Sequence, residues 1–356
     1  MNSYFTNRYI LNSVLIICWL ATAILGINGF FKSHDLLTVS TVKFQLGDGL
    51  TSILGAFTFT FPILGLFVKV RIAKWLLITA VFLYTILILF DLHRLTPYMI
   101  VYFGIFSSLI LLKYDSSVLF TALLIIASGI YIFSGLHKLN AGFVADIAPR
   151  LWFHSLPFSY NNSIGYSFAI LETVAGLFLL IPLARKFASI LLIVMHLIII
   201  WKLGPWKLDW NYIVIPWNVM MIAVLIFIFR KSSFCKFKIG AARGLIITLG
   251  FFFWLLPAIS QVTWIPENLS MMLYSGKSKS GYLIIDEKVD RFKPYDRTPD
   301  NDKMLISLQQ YSMEERGIAL HPELEIYNEI LNNIKLAIPA TDSIYYSNPK
   351  KLLEKL

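Results

Sequence analysis

Cysteine is almost missing from this chain of 356 residues: Cys18 and Cys235 are its only two. One falls in the first apolar run and the other in a basic connection, which leaves no disulfide framework and no thiolate metal cluster. Both read as small apolar filler. Charge is scarce too, at 15% of residues against 57% hydrophobic, and the mean hydropathy is +0.68. Such a composition excludes a soluble globule and indicates an integral membrane protein. No HExxH, CxxC, GxSxG or P-loop pattern occurs, no metal site is expected, and the lack of an internal repeat disfavours a small-solute transporter. The net charge of +10 needs no nucleic acid, because basic cytoplasmic loops and anionic lipid headgroups account for an excess of this kind. No basic arm or recognition helix accompanies it.

What is present is a series of apolar runs. A hydrocarbon core about 30 Å thick takes roughly 20 helical residues, and about nine spans are expected, at 9–27, 51–68, 72–90, 98–112, 117–136, 164–182, 186–201, 211–229 and 243–259. The fourth and seventh are short enough to be tilted, partly covered by neighbours or not fully spanning. The fold class expected is therefore all-α, a polytopic transmembrane helical bundle over residues 1–260, followed by a small α+β extracytoplasmic appendage over 261–356.

Basic residues of short loops stay on the cytoplasmic side. Lys69, Arg71 and Lys74, then Arg185 and Lys186, then Arg230, Lys231, Lys236, Lys238 and Arg243 share one side if the spans alternate. The opposite loops are sparser in Lys and Arg and carry Asp35, Asp91, Asp146 and Asp209. The N-terminus is then cytoplasmic and the C-terminal tail outside. No small-residue cleavage site follows Ile27, so the first span reads as a retained signal anchor. In the tail, Gly281 to Asp286 reads as a short strand. Pro322 opens a helix with Glu323 and Glu325 in its first turn, with Leu324, Tyr327, Leu331, Ile334 and Ile338 as its apolar stripe.

Polar residues inside spans carry the functional signal, since an ionisable group in hydrocarbon is costly. At 1.5 Å per residue, Glu172 lies about 12 Å below the external surface, Asn218 about 10 Å and His196 about 7 Å, with Lys138 near the surface. Pro216, beside Trp217, can free backbone carbonyls in the same region, and Asp91 and His93 reach the same rim. An outward-facing polar pocket is expected where these residues meet. Each also has a structural reading. Lys138 suits an interfacial anchor, His196 and Asn218 suit interhelical hydrogen bonds, and Trp201, Trp206, Trp210 and Trp217 suit an aromatic belt. Burial of Glu172 favours a neutral, hydrogen-bonded acid.

The segment Tyr131-Ile-Phe-Ser-Gly-Leu-His-Lys-Leu-Asn-Ala-Gly-Phe-Val144 resembles the Y-x-x-(A/S)-G-x-x-K-L-(D/N)-x-x-(W/F) signature of the HTTM superfamily, the membrane domain that includes vitamin K-dependent gamma-glutamyl carboxylase. The order of spans fits over most of residues 1–260. Asp91, Trp152 and Pro216-Trp217-Asn218 resemble features of bacterial members. The resemblance implies that Lys138 is the base that deprotonates a lipid-borne hydroxyl, a reduced quinone in the carboxylase, and a neutral amine there needs a desolvated site. His137 stands where the family has a second lysine, Asn140 where it has Asp, Phe143 where it has Trp, and Tyr98 where it has a supporting histidine. These departures remove charged partners of the base. The short tail replaces the large lumenal domain, so peptide-glutamate carboxylation is not expected.

The reading that follows is a bacterial inner-membrane protein handling an isoprenoid quinone or another membrane lipid. Lys138 is its base or anchor, His137, Glu172 and His196 are proton partners, and Asp91, His93, Asn140, Asn218 and Trp217 line the site. The alternative is a non-enzymatic, DoxX-like scaffold or quinone-associated subunit in which the same groups hold helices together.

Overall fold

The computed structural model describes residues 3–33, 36–42, 46–112, 116–149, 160–205, 211–231, 242–272, 274–277, 281–285, 288–298, 303–321, 323–338 and 341–345. Trp152, Trp206, Trp210, Cys235 and Pro322 lie outside them. The chain is mostly helical, and each of the nine apolar runs falls on a helix: α1 (Ser3–Leu25), α3 (Asp48–Phe67), α4 (Val70–Phe90), α5 (Pro97–Leu111), α6 (Ser116–His137), α7 (Asn162–Leu180), α8 (Arg185–Leu203), α9 (Val214–Lys231) and α10 (Arg243–Gly250). A short α2 (Ile27–Phe31) follows α1, and α10 continues through a π-helical turn at Phe251–Leu255 into α11 (Leu256–Ile259). Six of them, α1, α3, α4, α6, α7 and α8, are long and apolar enough to cross a membrane; α5, α9 and the stretch Arg243–Ile259 are shorter apolar helices. Local chemistry sets several ends. Pro97 opens α5, where its missing N–H costs nothing. Asn161 Oδ1 caps α7 by accepting from the Ile164 N–H at 3.0 Å. The left-handed backbone of Asn211, with φ of 58°, keeps α9 from starting at residue 211.

The contacts divide the chain into two units, one of residues 1–24, 57–82 and 96–277 and one of 25–56, 83–95 and 278–356. In the first, α6 is the central helix: 94% of its span is buried, against 28–39% for the other five long spans. Glycine lets α7 lie unusually close to it. A Cβ on Gly135 would sit 2.2 Å from Thr173 Oγ1, and one on Gly176 would sit 2.7 Å from the Ile132 amide nitrogen. Trp19 of α1 is fully buried. Its indole donates to the Phe59 carbonyl at 2.8 Å and meets Tyr102 and Phe106 edge-on.

The second unit holds a three-stranded antiparallel sheet ordered β2-β1-β3, from β1 (Tyr282–Ile285), β2 (Met304–Ser307) and β3 (Thr341–Tyr345). Helix α12 (Leu308–Arg316) follows β2 directly, and Gly317 stops it in the left-handed region at φ of 69°. Helix α13 (Leu324–Ala337) buries Ile326, Tyr327, Ile330 and Ile334 against Leu283, Ile285, Met304 and Ile306. Leu324, expected on this apolar stripe, is instead 47% exposed, because the buried face centres on the Ile326, Ile330 and Ile334 row. Leu36, Leu37 and Val39 join the same core, which the composition of the tail alone does not show.

A buried charge cluster completes this unit. The Arg316 guanidinium donates to Asp91 Oδ2 and to the Leu37 carbonyl at 3.4 Å. Arg94 approaches the same carboxylate at 3.7 Å and donates to the carbonyls of Gly29, Leu87 and Lys32. The His321 amide donates to His93 Nδ1 at 2.9 Å. Burial works to raise the pKa of Asp91, but Arg316, His93 and Arg94 outweigh it and hold the carboxyl below its ordinary range. Burial lowers His93 to about 3 despite the opposing charge of Asp91, and lowers His321 to about 4.

An imidazole whose folded pKa lies below its unfolded value near 6.5 supports folding above that value and withdraws the support as pH falls toward the folded one. Hydrogen exchange in the sheet peptides of the full chain should therefore quicken between about pH 6.5 and 4, once corrected for intrinsic exchange, with His321 alone accounting for about 3 kcal/mol. Protection that stays flat across that window would refute the assignment. Asp91→Ala leaves two buried guanidiniums without their carboxylate, and we expect it to destabilise the same peptides by about 3 kcal/mol or more at pH 7.5.

Candidate functional site

Tyr131, Ser134 and Lys138 stand at i, i+3 and i+7, and so share one face of α6 and its end. That face meets α7 where the glycines bring the helices together. Lys138 Nζ donates to Glu172 Oε2 at 2.6 Å and to Ser134 Oγ at 3.0 Å, and it lies 6.0 Å from the Phe143 ring centroid. The two charged side chains are only 13% and 8% exposed. The pair has no net charge whichever partner holds the proton, which removes most of the cost of placing it among apolar side chains.

Lys138 and Glu172 form the polar spot in the wall of a cavity of about 120 Å³. Its other walls come from Phe168 and Leu171 of α7, from Leu191, Met195 and Ile198 of α8, and from Phe143 and Tyr274. The volume is close to that of an engineered apolar cavity that admits benzene, about 150 Å³. It suits a single small ring or the end of a chain.

Beside this pair, a second polar group ties α6, α8 and α9. His196 is fully enclosed: its Nδ1 lies 2.6 Å from Asn218 Oδ1 and its Nε2 lies 2.6 Å from the Tyr131 hydroxyl. The Asn218 amide donates to the Val214 carbonyl at 2.7 Å, so its oxygen faces the imidazole. That arrangement assigns the ring proton to Nδ1 and leaves Nε2 to accept from Tyr131. Glu172 and Tyr131, and likewise Lys138 and His196, are close enough to interact electrostatically. Trp217 packs edge-on against His196 at 6.1 Å.

His137 points elsewhere, as its neighbour on a helix must. Lys277 Nζ lies 3.4 Å from its Nδ1, Ser260 Oγ lies 3.1 Å from its Nε2, and Gln261 reaches the same ring at 3.0 Å. Asn140 turns the chain after α6. Its amide donates to the carbonyls of His137 and Ser275 at 2.7 Å each, and its oxygen accepts from the Phe143 N–H at 3.0 Å. Asp91 and His93 belong to the second unit, where their partners are Arg316, Arg94 and His321.

The stretch around Tyr274 links these groups, although sequence reasoning attached no chemistry to it. Met271, Tyr274 and Gly276 have positive φ of 57°, 51° and 69°, costly for the first two. Tyr274 lines the cavity, and its hydroxyl accepts from the Asn211 amide at 2.6 Å. Burial pushes that hydroxyl above its ordinary range. Gly276 sits against Gly142: a Cβ on Gly276 would lie 2.2 Å from the Phe143 amide nitrogen, and one on Gly142 would lie 2.2 Å from the Gly276 carbonyl. Tyr131 and Ser134 could have been found from their helical register with Lys138. Tyr274, Ser260, Gln261 and Lys277 have no comparable spacing signal. Among the described residues no group of three metal-ligating side chains is assembled.

Two outcomes follow from this geometry. Lys138→Met and Glu172→Leu should each lower thermal stability in detergent, by about 3 kcal/mol, while the double variant recovers much of the loss because neither charge is left alone; strictly additive losses would show that the two do not act as a pair. Gly142→Ala should displace the Tyr274 stretch and open the peptide bond after Lys277 to trypsin in the full-length protein, and an unchanged digestion pattern would contradict the close approach. Comparison with known proteins supplies no relative, since no protein-family model, no curated protein and no solved structure matches this chain.

Proposed function

We propose that this chain is a membrane protein of HTTM type in which the cavity at Lys138 takes the ring of an isoprenoid quinone or the end of another membrane lipid. The observation that carries the reading is one amine–carboxylate pair in the wall of an otherwise apolar cavity. Apolar walls favour a lipid-borne ligand over a hydrated one, and few, convergent polar groups are what orients such a ligand. Lys138, with Glu172 to take up or return a proton, is matched to a hydroxyl that must be deprotonated or anchored. His196, Tyr131 and Asn218 stand behind the pair as its polar support. On this reading α5, α9 and the helix over Arg243–Ile259 complete about nine spans, the N-terminus is cytoplasmic, and the cavity opens toward the outer leaflet of a bacterial inner membrane.

The second reading, a non-enzymatic scaffold, is favoured by one observation. Lys138 with Glu172, and His196 with Tyr131 and Asn218, already satisfy one another across four helices, as groups that only hold helices together would.

Native mass spectrometry of the full-length protein separates the two. Wild type and Lys138→Met/Glu172→Leu, purified gently from a quinone-containing membrane, are compared for bound lipid. A quinone or isoprenoid retained by the wild type and lost by the equally folded double variant is the expected result. No specific lipid in either would overturn the proposal in favour of the scaffold.

A further inference from the structure

The Asp91 cluster of the second unit holds one positive charge in excess. Arg94 and Arg316 share a single carboxylate, all three side chains are buried, and burial keeps His93 and His321 neutral near pH 7. Donors are in excess as well. Of the five N–H groups an arginine side chain carries, three on Arg94 are used, on the carbonyls of Gly29, Leu87 and Lys32. The Arg316 Nε–H has no partner among the described residues. A buried charge of this kind is costly unless an anion meets it.

A cavity of about 10 Å³ lies against the cluster, lined by Asp91 and Arg94 together with Thr51, Thr38 and Ser33. That volume suits one particle of about the size of a water molecule and is too small for phosphate, sulfate or an organic acid. The Thr51 hydroxyl is fully buried and makes no hydrogen bond to any described residue. Thr51 stands in the first turn of α3, where its N–H donates to the Gly47 carbonyl at 3.0 Å and the helix N-terminus adds partial positive charge. A free O–H donor and a guanidinium with N–H groups to spare favour an anion, and a cation would face two guanidiniums. The carboxylate in the wall is already engaged, because Oδ2 accepts from Arg316 and Oδ1 from the His93 N–H at 3.2 Å. Asp48, the other acid close by, is exposed to water and accepts from the Ser33 N–H and hydroxyl at 2.7 and 2.8 Å.

We infer that this cavity is a binding site for a single chloride ion, held by the Thr51 hydroxyl and the Arg94 guanidinium. The ion neutralises the excess charge of the cluster, so its binding supports the folding of the second unit. The site is independent of the proposal for Lys138.

The test is hydrogen exchange in the β1 and β2 peptides of the full-length protein in detergent at pH 7.5, with sodium gluconate replaced stepwise by sodium chloride at constant ionic strength. Gluconate is too large for the cavity. Exchange is expected to slow and then saturate, by about tenfold when chloride reaches ten times its dissociation constant. Thr51→Val keeps the shape of the side chain and removes a hydroxyl that no described residue uses. It should leave protection in gluconate unchanged and raise the half-saturating chloride concentration about tenfold, the worth of one hydrogen bond to a charged group. Thr51→Ser, which keeps the hydroxyl, should retain the wild-type response. Protection indifferent to chloride in the wild type would mean that only water occupies the cavity, and overturns the inference. A response undiminished in Thr51→Val would place the ion elsewhere, and one lost equally in Thr51→Ser would trace it to a loosened α3; either overturns the inference too.

Discussion

A charged pair can stand inside an apolar bundle only if its two members reach each other, and here that reach depends on how closely two helices approach. Gly135 and Gly176 bring α7 against α6, so that Glu172 lies within a short hydrogen bond of Lys138. Larger residues at either glycine would lengthen the contact and leave an ammonium and a carboxylate separately desolvated, at a cost of several kcal/mol. The small residues belong to the site as much as the charged ones do. They also bear on the wall of the cavity, because α7, which carries Glu172, also carries Phe168 and Leu171 of its apolar lining.

The second unit meets the same constraint differently. Asp91 is shared between Arg316 and Arg94, and the surplus positive charge is spread over backbone carbonyls of Gly29, Lys32, Leu37 and Leu87. Those carbonyls lie on α2, in the connection after it and in the last turn of α4, where the Leu87 carbonyl also accepts from the Asp91 N–H at 3.1 Å. The guanidinium fork, with donors in several directions, fits such a place better than an ammonium would. The cluster thus joins segments distant in sequence, residues 29–37, 87–94 and 316, beside the apolar core to which Leu37 and Leu92 also belong.

Much of the architecture could be read from the chain because hydropathy reports directly on burial in lipid or protein. The nine apolar runs, the strand at Tyr282 and the helix at Leu324 follow from composition and period. Long-range pairing does not. Nothing in the spacing says that Arg316 belongs with Asp91, that residues 25–56 join the core of the tail, or that Tyr274 reaches the cavity beside Lys138. At the site, Lys138, Glu172, His196 and Asn218 stood out because polar residues in apolar runs are expensive. Tyr131 and Ser134 are common in such runs and become informative only through register. His137 and Asn140 were singled out for their position beside Lys138, yet helical geometry turns His137 away and gives Asn140 the task of shaping the loop.

His137 and Lys138 are joined by one peptide bond but face different surroundings, and the stretch around Tyr274 touches both: Tyr274 at the cavity wall, Lys277 at the imidazole. Tyr274 and Lys277 are three residues apart on one stretch, so a displacement of Tyr274 bears on the contact of Lys277. By linkage, the free energy with which occupancy of the cavity changes that contact equals the free energy with which the contact changes occupancy. His137, which does not line the cavity, is thereby coupled to a residue that does.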